Sequence, residues 1–131
     1  MSKPKFYMVN FAPEPVAPFS HAVETDGWVY LTGQMPTDPD DITKPLPLGI
    51  KAQTIRVMDN LALVLKGVEL NFENVISARV FLTSFDRDYQ TMNKTYVQYF
   101  NLNRLPARTC VGVTALACGA LVEIDMVARR P

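Results

Sequence analysis

Histidine, cysteine and tryptophan are nearly missing from this chain, which has one His, two Cys and one Trp in 131 residues. A single imidazole, His21, with Cys110 and Cys118, is too few for an ordinary zinc cage. Two cysteines likewise cannot make a disulfide framework. Surplus charge is missing too, since 13 Lys+Arg meet 13 Asp+Glu for a formal net charge of zero. Binding a phosphate backbone needs Lys and Arg in excess on one face, so neither nucleic acid nor an anionic membrane is an expected partner. Long apolar runs are absent as well. The longest uncharged stretch, Thr109–Val122, has 14 residues, where a bilayer span needs about 20. Lys3 and Lys5 precede no apolar segment of the signal-peptide kind. These absences predict a cytoplasmic, soluble and metal-free protein.

What is present suits one globular domain over residues 1–131: 48% of the chain is hydrophobic and 20% charged, ample material for a core. Pro13, Pro15 and Pro18 fix an extended lead-in. His21–Glu24 and Trp28–Thr32 flank Thr25-Asp26-Gly27, the pattern of a β-hairpin with Gly at its turn. Asp38 to Pro47 reads as a loop.

Two segments carry helical periodicity. From about Gly49 to Val68, an apolar stripe of Val57, Leu61, Val64, Leu65 and Val68 opposes Lys51, Arg56, Asp59 and Lys66. From Asp86, taken as N-cap, to Phe100, Tyr89, Met92, Asn93, Tyr96 and Phe100 recur at steps of three and four. Period-two alternation marks Val75–Thr83, with Ile76, Ala78, Val80 and Leu82 on one face. It also marks Leu121–Ala128, where Val122, Ile124, Met126 and Ala128 oppose Glu123 and Asp125. Arg108–Ala115 is a further strand. This order predicts an α+β fold, a mixed sheet with two helices on one face.

Four features carry possible chemistry. Arg108 and Cys110, two apart after Pro106, point to one face, and an Arg at a strand mouth offers a fork for a carboxylate; a surface salt bridge is the alternative. Glu123 interrupts an apolar run. Paired in a hairpin with the Arg108 strand, it would reach the same pocket as general base or water-orienting group; otherwise it belongs to a polar outer face. Gly33, just past a strand, lets backbone approach a ligand beside the Thr32 hydroxyl, or simply turns the chain. His21 is read as structural, and Cys110 as a nucleophile would need a partner that stabilises its thiolate.

The order of these motifs is distinctive. Ala17-Pro18-Phe19-Ser20-His21 is followed by Val29-Tyr30-Leu31-Thr32-Gly33-Gln34-Met35-Pro36 and Val80-Phe81-Leu82-Thr83. Then come Asn93-Lys94-Thr95-Tyr96, Leu105-Pro106-Ala107-Arg108-Thr109-Cys110 and Leu121-Val122-Glu123-Ile124-Asp125. In this order and spacing the sequence resembles the RidA/YjgF family of enamine/imine deaminases, from about Ala12 to Arg129. The resemblance implies a chorismate-mutase-like α+β fold and a homotrimer with three sites in the clefts between subunits. It implies no cofactor, and a small-molecule substrate, a 2-imino acid hydrolysed to a 2-keto acid and ammonia.

By the same resemblance Arg108 binds the substrate carboxylate, Glu123 positions the attacking water, and Thr32 keeps the hydroxyl of a serine found in many members. Gly33, Asn93 and Cys110, the last through its backbone N–H, lie at the substrate. Phe19 stands where well-studied members carry tyrosine, and His21 where glutamine is common. Two alternatives stay open: a catabolic deaminase for an aminomuconate- or aminoacrylate-type substrate, and a non-enzymatic metabolite-binding or chaperone-like protein.

Overall fold

A computed structural model describes residues 3–131. Six strands and two helices follow in the order β1 (Lys5–Tyr7), β2 (Ala22–Thr25), β3 (Trp28–Gln34), α1 (Ile50–Gly67), β4 (Val75–Leu82), α2 (Phe85–Tyr96), β5 (Ala107–Gly112) and β6 (Val122–Arg129). The strands form one sheet in the order β1-β2-β3-β6-β4-β5. Every neighbouring pair is antiparallel except β4 and β5, which run parallel.

The hairpin sits where its residues direct it. Thr25 pairs with Trp28, and the two turn residues Asp26 and Gly27 both adopt positive φ, 50° and 84°. That is the type I′ geometry whose twist matches the flanking strands. In α1 the apolar stripe is fully buried, with Val57, Leu61, Val64 and Leu65 at 0% exposure. The helix stops where Glu69 turns left-handed at φ 62° and the Leu70 N–H returns to the Leu65 carbonyl at 2.9 Å. This 6→1 closure satisfies a carbonyl the helix itself leaves open.

Four local expectations are corrected. The N-cap of α2 is Ser84, with Asp86 inside the first turn, where its charge suits the helix dipole. The α-helix ends at Tyr96, and Val97–Tyr99 tighten into a 3₁₀ turn. Strand β5 ends at Gly112, short of Ala115. Ile76 is exposed, because the ladder slips between Val75 and Ser77 and moves the alternation by one residue.

Both helices cover the same face of the sheet, and the core lies between the layers. It joins the α1 stripe and Met92 to Val29, Leu31, Ala78, Val80, Leu82, Val122, Ile124 and Met126. No helix is long and apolar enough to cross a membrane among the described residues.

Among the described residues the opposite face carries no layer of its own. Register places Phe6 beside Val23, Val23 beside Tyr30, Tyr30 beside Val127 and Val127 beside Ser77. An apolar row therefore crosses the open face at right angles to the strands, with Phe6 69% and Tyr30 50% exposed. An antiparallel sheet face that meets water is ordinarily polar.

Candidate functional site

The sheet order overturns one expectation about the site. Strands β5 and β6 do not pair as a hairpin; β4 lies between them. Arg108 is in register with Ala78, and Glu123 with Phe81. Because Val122 and Ile124 face the helices, Glu123 must point to the open face. Arg108 points the other way, over α2. Within one chain the two side chains lie on opposite faces of the sheet and cannot share a pocket.

Arg108 is held by neutral groups. Its guanidinium donates to the Asn93 Oδ1 at 2.8 Å and, more weakly, to the Tyr89 hydroxyl at 3.4 Å. It also lies 5.1 Å from the Tyr96 ring centroid and 5.9 Å from that of Tyr89, within range of cation–π attraction. Among the described residues no carboxylate pairs with it, so the salt-bridge alternative does not hold. A half-buried guanidinium with aromatic walls and no counter-ion has the donors to receive an external anion.

Cys110 shares this face, as the spacing predicts, in register with the buried Val80. Burial pushes its thiol above the ordinary range, and the Arg108 charge offsets only part of that. It is poorly suited to nucleophilic attack. His21 supplies no base either. It is 2% exposed, its Nδ1 accepts the Val9 N–H at 2.8 Å, and its Nε2 faces the Pro13 carbonyl at 2.7 Å. With Nδ1 an acceptor, Nε2 carries the proton. The ring is structural: it ties the proline-rich lead-in to β2.

The second half of the site is on the open face. Strand β3 gains one residue on β6 between Leu31, opposite Met126, and Gln34, opposite Ile124. That bulge contains Thr32 and Gly33. The Glu123 carboxyl lies directly against Gly33, in space that any side chain at position 33 would occupy. Any side chain at position 33 would therefore displace that carboxyl, which glycine alone leaves in place. Burial first, and then the negative Asp125, raise the Glu123 carboxyl above the usual carboxylate range. Asp125 itself is clamped by Arg79 through Nε at 3.0 Å and Nη2 at 2.6 Å.

Phe19, Thr32, Gly33, Tyr30, Arg79 and Asp125 line a groove of about 670 Å³ on this face. Arg108, Cys110 and Asn93 take no part in it. The predicted residues thus fall into two groups: Arg108, Cys110 and Asn93 at the β5–α2 edge, and Glu123, Thr32, Gly33 and Phe19 on the open sheet. Among the described residues no group of three His, Cys, Asp or Glu side chains is placed to hold a metal.

Of the groups around Arg108, the sequence reading named Asn93 but missed Tyr89 and Tyr96. Tyr89, Asn93 and Tyr96 recur at steps of four and three, a pattern that reads as an ordinary core stripe. The signal was the polar Asn93 between two tyrosines on that face. Asp125 was legible on the same face as Glu123, but its pairing with Arg79 on the neighbouring strand was not.

A mixed six-stranded sheet of this order backed by two helices is the architecture of the L-PSP/RidA class. The family model described as Endoribonuclease L-PSP matches residues 9–130. A RutC family protein of Synechocystis is 38% identical over 120 residues, covering 92% of each chain. Protein DfrA of Myxococcus xanthus is 40% identical over 120 residues, covering 89% of this chain and 88% of its own. RidA from an Antarctic Psychrobacter superposes with TM-score 0.88 at 30% identity, over 95% of this chain and 98% of that one. E. coli TdcF, solved with bound serine, gives TM-score 0.87 at 27% identity, over 97% and 99%. The chain belongs to the RidA/YjgF family.

Proposed function

We propose that this protein is a hydrolytic deaminase of 2-imino acids, assembled as a cytoplasmic homotrimer whose sites lie between subunits. One observation carries the reading. A guanidinium without a counter-ion and a half-buried carboxyl sit on opposite faces of the sheet, so each needs its complement from another copy. The exposed apolar row through Phe6, Val23, Tyr30 and Val127 gives such a copy a surface to cover.

In the cleft, Arg108 binds the carboxylate of the substrate through two parallel N–H bonds. Glu123 takes a proton from water as its oxygen adds to the imine carbon. The same carboxyl then gives a proton to the nitrogen of the tetrahedral adduct. As the C–N bond breaks, the remaining O–H proton of the adduct returns to the Glu123 carboxylate and on to the departing ammonia, leaving a 2-keto acid. A carboxyl raised by burial is suited to both transfers. Holding water and imine in contact supplies much of the acceleration, because a protonated imine is already electrophilic.

A second reading, a metabolite-binding protein without turnover, draws support from TdcF, whose structure holds serine, itself a carboxylate. RNA fits less well: the chain has no net charge, and Arg79, which lines the groove, is neutralised by Asp125.

The test generates 2-iminopropanoate and 2-iminobutanoate in situ and follows keto-acid and ammonia release, with light scattering for mass. Acceleration lost in both Arg108→Ala and Glu123→Gln, in a particle of three chains, is the expected result. Binding of keto acids without acceleration would favour the second reading. A monomer at micromolar concentration would refute the shared site.

A further inference from the structure

Tyr89 has no place in the reaction above, yet it stands beside the Arg108 fork. Its ring is stacked on Phe85 with centroids 4.6 Å apart and planes 20° from parallel, which fixes where its hydroxyl points. Its oxygen accepts a weak bond from Arg108 Nη2 at 3.4 Å, while the hydrogen of its own O–H has no acceptor among the described residues. On the neighbouring terminal nitrogen, Asn93 Oδ1 takes one N–H of Nη1 at 2.8 Å. Arg108 has five N–H donors in a plane; with one given to Asn93 and one to Tyr89, three remain. Tyr96, 5% exposed, supports the guanidinium from its own ring face.

We propose that Tyr89 is a substrate-binding residue, whose phenol O–H donates to the same carboxylate that Arg108 binds, and that Asn93 and Tyr96 are positioning residues for that fork. This deepens the proposed function and rests on its carboxylate-binding half. The chemistry recognised is a planar α-carboxylate, met by guanidinium donors and by one phenol hydrogen at their flank. Neutral Asn93 and Tyr89 leave the positive charge uncancelled, and the stack on Phe85 removes most of the phenol's rotational freedom before the anion arrives. A hydrogen bond to a charged partner is among the stronger ones. Its loss weakens binding by roughly tenfold to a hundredfold.

The experiment is calorimetric binding of 2-oxobutanoate and of its uncharged amide, 2-oxobutanamide, to the wild-type chain, Tyr89→Phe and Asn93→Ala. Phenylalanine keeps the stack on Phe85 and the ring face toward Arg108, so the fold is preserved. Tyr89→Phe is expected to bind the acid tenfold or more weakly and the amide unchanged, raising KM for imino acids with little change in kcat. Asn93→Ala is expected to weaken the acid as well, by loosening the fork. Tyr89→Phe binding the acid as tightly as wild type, or no acid binding by the wild-type chain, overturns the proposal. A wild-type chain that binds the acid but does not accelerate deamination sinks the deaminase reading and leaves the Tyr89 result standing.

Discussion

Substitution of Gly33 by alanine separates the chemistry from the fold. Gly33 is not among the glycines with positive φ, which are Gly27, Gly49 and Gly119, so its backbone accepts an alanine without strain. The added methyl lands on the Glu123 carboxyl, with its Cδ at 3.0 Å and its Cγ at 3.2 Å. What must yield is the end of a flexible side chain, not the sheet. The carboxyl moves by about 1 Å, a displacement that costs on the order of a hundredfold in rate when the group aims a reactant. That corresponds to ~2.7 kcal/mol of barrier. Stability should hold or rise, since Gly→Ala at a compatible position contributes ~0.4–1 kcal/mol through the unfolded chain. The assay pairs keto-acid formation from 2-iminobutanoate with a thermal melt. It adds the double variant with Glu123→Gln, which should be no slower than Glu123→Gln alone, because the methyl acts only through that carboxyl. Gly33→Ala retaining kcat/KM within about threefold of wild type would refute the reasoning.

Arg108→Lys should lose nearly as much activity as Arg108→Ala at an unchanged melting temperature, because an ammonium keeps the charge but not the planar fork; kcat/KM and a melt check it. Asp125→Asn should move the acid limb of kcat/KM to lower pH. Glu123 works as a base only when ionised, its carboxyl is raised by burial and by Asp125, and removing that charge lowers it; a pH–rate profile that does not move would exclude the coupling. Phe19→Tyr should improve hydroxylated imino acids relative to apolar ones, by the ~0.5–1.5 kcal/mol of one hydrogen bond. A rise in kcat of a hundredfold on every substrate would instead place the phenol in the catalytic step.

Local pattern carried most of the fold. Asp26-Gly27 announced its turn because few residues tolerate two successive positive φ angles. The α1 stripe was legible because burial on a helix has a single period. Strand neighbourhood was not, since period-two alternation says which residues share a face but not which strand lies alongside. Consecutive β5 and β6 look like a hairpin, yet the chain passes from β5 over the end of β4 through Ala117–Gly119 before β6 begins. The phase of β5 was equally hidden, for Ala107, Thr109 and Val111 alternate with Arg108 and Cys110 without a clear apolar side. Arg108 and Glu123 were thus identifiable one by one, while their separation by the sheet was a property of topology alone.

That separation has a genetic consequence in the proposed ring of three. Each chain lends its arginine to one cleft and its glutamate to the next, so every subunit belongs to two sites. Subunits carrying Arg108→Ala, mixed with subunits carrying Glu123→Gln, would rebuild intact clefts wherever the two sound halves face one another. Random equal mixing restores roughly a quarter of them. One subunit bearing both lesions would silence two clefts at once. Two alleles that are each inactive alone would therefore complement, while a doubly mutated allele mixed equally with wild type would leave roughly a quarter of the clefts intact, half of what independent sites would keep.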